Sequence, residues 1–164
     1  MKTFQKLLTA LSFENVSFNQ NINFMNTKKF FLGGLAGGVA FFLLGYLFYG
    51  TLFADFFSQN AGSATGVSRQ MDQFVWWALI LGNLLFGFLL SYVQNEAKIR
   101  TLGAGLVAGA ILGVLFAASF DFTSYGTSNL MTMKGVWADI VILGVMAAIA
   151  GAVVGLVRGM IGKQ

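Results

Sequence analysis

The sequence contains no cysteine, no histidine and no proline. Without cysteine there is no disulfide, no thiolate nucleophile and no thiolate metal ligand. Without histidine, zinc or haem sites built on imidazole are excluded, as is Ser–His or Cys–His catalysis. Without proline, no helix need carry a proline kink. Charge is scarce as well, at 10% of 164 residues. Apolar residues take its place: 57% are hydrophobic and the mean hydropathy is +0.75, too apolar for a soluble domain. Ten cations against six acids leave a net charge of +4. In so apolar a chain the cations are topology signals first, and nucleic acid is not expected as a partner.

An apolar, aromatic-heavy stretch is FFLLGYLFYGTLFADFF, 41–57, and with FFLGGLAGGVA before it no charge occurs between Lys29 and Asp55. About twenty apolar residues suffice to cross a bilayer as a helix. Four such runs occur, at about 30–54, 74–93, 102–120 and 136–157. Lipid offers no partner for backbone polar groups, and no set of alternating ten-residue strands is visible, so each run is read as a helix. The expected fold is all-α, a polytopic membrane four-helix bundle over 30–164. Residues 1–29 precede it as an amphipathic or disordered cytoplasmic segment. There Phe4, Leu7, Leu8 and Leu11 fall on one helical face, and Lys2, Gln5, Lys6 and Thr9 on the other.

Cations orient the spans. Lys2, Lys6, Lys28, Lys29, Lys98, Arg100, Arg158 and Lys163 lie on one side, and only Arg69 and Lys134 on the other. The positive-inside bias places both termini in the cytoplasm, with Arg158 expected to snorkel to the inner surface. Four acids, Asp55, Asp72, Asp121 and Asp139, then fall on the outer side.

Glycines mark a packing mode. Gly105, Gly109 and Gly113 repeat every four residues in the third run, as do Gly151, Gly155 and Gly159 in the fourth. Such a glycine-zipper spacing leaves a groove in which helix backbones approach closely. It points to the bilayer and to a second copy or another membrane protein as partners. A weak internal duplication accompanies it, since 35–48 and 103–116 match at eight of fourteen positions.

Polar residues supply the candidate site. Asp72 and Asp139 are read as N-terminal caps of helices entering from outside. Asp55 and Asp121 are expected at the C-terminal ends of the first and third helices, where a carboxylate opposes the dipole. They are therefore expected to converge with Asn129 at the outer rim, with Lys134 as counter-charge or a bound cation in its place; solvated helix ends are the alternative. Asn83 lies mid-span and needs a partner across an interface, which Tyr46 and Tyr49 are placed to supply. No catalytic residue, metal ligand set or cofactor is assigned.

YGTSNLMTMKGVW, 125–137, resembles the Y-D-L-T-N-L-x-T-L-K-x-W segment of small four-helix bacterial membrane proteins of uncharacterised function. Tyr125, Ser128, Asn129, Leu130, Thr132, Met133, Lys134 and Trp137 carry the likeness. GYLFYGTLF, 45–53, is similar to the G-x-L-W-Y-x-x-L-F signature of another such family. Gly126 stands where the pattern has Asp, and Trp137 is displaced by one residue. The resemblance implies four spans in a bacterial inner membrane with the Asn129 turn outside, and it brings no known activity. Three function classes are open. Association, as a self-assembling unit or accessory subunit, ranks first. An oligomeric small-solute or cation permease is second, and a lipid-acting enzyme using metal-bound aspartates last.

Overall fold

In the computed structural model of the protein, residues 27–161 are described. The expected amphipathic segment before Thr27 and the cation Lys163 lie outside them. Helix α1, Thr27–Leu47, runs on through a π-helical turn, Phe48–Leu52. The chain breaks at Phe53 and forms a short helix α2, Ala54–Gln59. A 3-10 turn, Met71–Gln73, leads into α3, Trp76–Glu96. Helices α4, Leu102–Thr127, and α5, Met133–Ile161, complete the bundle. Among the described residues, four helices are long and apolar enough to cross a membrane, which makes this a multi-pass membrane protein in contact with the bilayer.

The helices form two antiparallel pairs, α1 with α3 and α4 with α5, joined where α1 packs on α5. Helix α5 is accordingly the most enclosed of the four. Its 29 residues span about 43 Å at 1.5 Å per residue, beyond the ~30 Å hydrocarbon core, so both ends reach the headgroup zones. One end of the bundle carries the start of α1, the α3–α4 turn and the end of α5. The other carries the loops at 53–75 and 128–132.

Five of the six glycines at four-residue spacing lie where α4 and its N-cap Thr101 meet α5, and Gly159 lies against the turn just before Thr101. A Cβ built on Gly105 would stand 2.3 Å from the Gly151 carbonyl oxygen, and one on Gly109 2.1 Å from that of Ala147. On Gly151 and Gly155 it would meet the carbonyls of Gly105 and Thr101, at 2.4 Å each. Gly113 meets the Ala147 side chain at 2.4 Å, and Gly159 meets the Arg100 carbonyl at 2.4 Å. The α1–α3 contact works the same way, with Gly87 against the backbone of Gly34 and Gly38 at 2.2–2.4 Å. Gly37 admits Val154 of α5. These stripes are therefore occupied within one chain. Where lipid competes for every apolar surface, close backbone contact is what holds such helices together.

The ends are closed locally. After α3, the Lys98 amide donates to the Asn95 carbonyl at 3.0 Å and the Ile99 amide to that of Gln94 at 2.8 Å. This is a Schellman arrangement, with Lys98 at φ 55° in the left-handed position that glycine usually fills. Thr101 then caps α4, its hydroxyl accepting from the Ala104 amide at 3.3 Å. At the other end the two loops pair through backbone bonds. Gly62 donates to the Leu130 carbonyl at 2.9 Å, Ala64 to that of Asn129 at 3.1 Å, and Thr132 to that of Asn60 at 2.9 Å.

Helix α4 runs seven residues past the expected end at Phe120. Its polar last stretch stays helical because its hydroxyls return to the helix. Thr123 donates to the Ser119 carbonyl at 2.7 Å, Thr127 to that of Thr123 at 2.8 Å, and Ser128 to that of Ser124 at 2.7 Å. Asp121 is thereby placed inside a helix rather than at its end.

Candidate functional site

The π-helical turn after α1 sets the site. Its i→i+5 bond runs from the Phe53 amide to the Phe48 carbonyl at 2.8 Å, and the Thr51 hydroxyl donates to the Leu47 carbonyl. One extra residue in the turn changes the direction of its side chains relative to a regular helix. Tyr49 is brought to face α5, its ring against Phe57 with centroids 5.1 Å apart. Its hydroxyl donates to Asp139 Oδ1 at 2.7 Å. Asp139 is half-buried in the second turn of α5. Across from it, on α4, Asp121 is 2% exposed and faces the Asp139 carboxyl closely enough for the two to interact. Its Oδ2 is buried with no hydrogen-bond partner. Ala117, one helical turn before Asp121, forms a buried apolar cluster with Val136 and Ile140, which flank Asp139 in sequence.

Both acids sit about 9 Å inside the helix ends nearest them, six residues from Thr127 and from Met133, hence at the edge of the hydrocarbon. Neither forms an ion pair with a lysine or arginine among the described residues. Two carboxyls in that setting do not both ionise unless a positive charge lies between them. Asp139 is only partly buried, whereas Asp121 is 2% exposed.

Among the described residues no hydrogen bond or ion pair joins the four residues expected from the sequence to cluster. Asp55 is exposed in the first turn of α2, where the dipole favours it, because the break at Phe53 starts a new helix. Asn129 is exposed and contributes its backbone carbonyl to the loop pairing, and its side chain makes no hydrogen bond among the described residues. Lys134 is exposed in the first turn of α5 and makes no ion pair among the described residues. Of the four, only Asp121 is at the site. Asp139 is not a cap, being the seventh residue of α5. Asp72 lies in the 3-10 turn, and α3 begins without a side-chain cap. Asn83 turns to its own helix, its Nδ2 donating to the Leu79 carbonyl at 2.7 Å. Of the tyrosines expected to pair with it, Tyr49 bonds Asp139 instead and Tyr46 is 54% exposed.

A second polar layer lies toward the opposite end. Arg158 does not snorkel. It is 2% exposed, and its guanidinium donates to the carbonyls of Ser91 at 3.0 Å and Ile99 at 3.2 Å and to Asn95 Oδ1 at 2.9 Å. Gln94, fully buried, donates through Nε2 to the Gly151 carbonyl at 2.8 Å. Ser91 donates to the Phe30 carbonyl at 2.9 Å. A signal for this layer exists in the sequence: Gly87, Ser91, Gln94 and Asn95 recur at helical spacing, so the packing face of α3 continues as a polar one.

The fold and the site together define a multi-pass membrane helical bundle carrying, at one membrane edge, an acidic pair to which no lysine or arginine is paired among the described residues. Comparison of the chain with protein-family models, with curated proteins and with solved structures returned no match.

Proposed function

We propose that the protein is a small cation-binding membrane protein of the permease class, whose Asp121–Asp139 pair takes a proton or a monovalent metal cation. The observation that carries this reading is the buried, unpartnered Oδ2 of Asp121 beside a second carboxyl, with no lysine or arginine paired to either among the described residues. Intramembrane acids are by default read as parts of ion pathways or proton relays. Tyr49 positions Asp139 and leaves the second carboxyl free to share the cation. Only two carboxyl groups meet there, and among the described residues no group of three acids exists, which favours a single positive charge over a divalent ion.

Orientation follows the cations. Lys28, Lys29, Lys98, Arg100 and Arg158 lie at the α3–α4 end, against Arg69 and Lys134 at the other. That bias supports a cytoplasmic α3–α4 end and an acidic site reached from outside. Association with a second copy or another membrane protein loses its first argument, because the glycine stripes are filled by the chain's own helices.

The test is thermal stability of the purified protein during titration with Na+, K+ or protons at constant ionic strength. A ligand that binds only the folded state stabilises it by about 2.7 kcal/mol at a hundredfold excess over Kd. The wild type should respond to one of these cations, while Asp121→Asn, which brings its own donors to Asp139, should not. Equal responses of wild type and variant to every cation would refute the reading.

A further inference from the structure

An open groove of about 620 Å³ runs between α1 and α5 on the membrane-facing side, lined by apolar residues. Its α1 wall is Leu32, Leu35, Val39 and Leu43; Val157 and Met160 form the α5 wall. From Leu32 to Leu43 the wall is about 16 Å long at 1.5 Å per residue, half of the ~30 Å hydrocarbon core and so the depth of one leaflet. Lys28 is exposed and lies four, seven and eleven residues before Leu32, Leu35 and Val39. At helical spacing these residues share one face, which puts the ammonium group directly below the groove, at the headgroup level.

We infer that this groove is a binding site for one anionic phospholipid, an acyl chain lying along Leu32–Leu43 and the phosphate meeting Lys28. The lining carries no charge, as an acyl chain requires. Among the described residues, the end of the bundle below it carries Lys28, Lys98 and Arg100 at the surface, with Lys29 and Arg158 buried, against the single acid Glu96. That excess favours a headgroup with net negative charge over a zwitterionic one. Arg158 is turned away into the α3 contact and leaves Lys28 as the cation on the groove face. This inference does not depend on the acidic pair, which lies at the opposite end.

Native mass spectrometry of the purified protein, with phosphatidylglycerol or phosphatidylcholine added to the detergent, tests it. The wild type should retain one phosphatidylglycerol in preference to phosphatidylcholine. Lys28→Gln should weaken the phosphatidylglycerol adduct about fivefold, the factor one lysine is worth near an anionic surface, and leave the phosphatidylcholine adduct unchanged. Val39→Trp, at a position 47% exposed and so free to change without disturbing the core, should fill the groove and remove both adducts. Equal retention of the two lipids by wild type would overturn the inference. So would a phosphatidylglycerol adduct indifferent to both substitutions, or a protein dimer that Val39→Trp abolishes, which would assign the groove to a second copy.

Discussion

Substituting Gly109 by alanine adds one methyl group, and its cost can be worked out from its surroundings. The new Cβ would lie 2.1 Å from the Ala147 carbonyl oxygen, 2.9 Å from the carbonyl carbon and 3.1 Å from the Gly151 Cα. All of these are backbone atoms, so no rotamer change relieves the overlap. Helices α4 and α5 must part by about 1 Å, enough to forfeit a quarter to a half of each neighbouring contact's dispersion energy. Overpacking of this kind costs about 1–3 kcal/mol. Gly82 supplies the control, because a Cβ there meets nothing within 4 Å. The helix-propensity gain of glycine to alanine, about 1 kcal/mol, is common to both sites and cancels in the comparison. Gly109→Ala should therefore be less stable than Gly82→Ala by about 2 kcal/mol, or roughly 4–8 °C in Tm for a chain of this size. Thermal unfolding in one detergent measures the difference. Equal Tm values would refute close α4–α5 contact at the glycines.

Two further substitutions probe the α3–α4 end. Lys98→Gly should stabilise the protein by about 1 kcal/mol, since Lys98 holds φ 55° and a left-handed L-residue costs about 1–2 kcal/mol; an unchanged or lowered Tm would argue against the turn. Arg158→Met removes three charge-assisted hydrogen bonds of about 1.5–3 kcal/mol each, offset by no longer burying a charge. A net loss on the order of 2–3 kcal/mol is expected in chemical unfolding, and a neutral substitution would show that the guanidinium reaches water.

The four spans are legible in the sequence because twenty-residue apolar runs have few other uses, and the glycine spacing because its period matches the helix. The acidic site is only half legible. Asp121 stands out, but a helix end drawn at Phe120 directs the search for its partner into the loop beyond. Polar residues after an apolar run look like a boundary, yet Thr123 and Thr127 satisfy their hydroxyls on the helix itself and carry it onward. Pairing of Tyr49 with Asp139, ninety residues apart, depends on the π-helical turn, for which no local pattern exists. Arg158 escapes the sequence for another reason. Length and proximity to the helix end allow snorkelling, but Arg158 falls in register with Ala147, Gly151 and Val154, all buried. Azimuth, not depth, decides its environment.

The carboxyl pair itself is accessible to infrared difference spectroscopy on the protein in lipid, recorded on titration with protons and with the monovalent cations. The account predicts a carboxyl-stretch change in the wild type that disappears in both Asp121→Asn and Asp139→Asn and shifts in Tyr49→Phe. A difference spectrum unaltered by either asparagine substitution would contradict a cation held between Asp121 and Asp139.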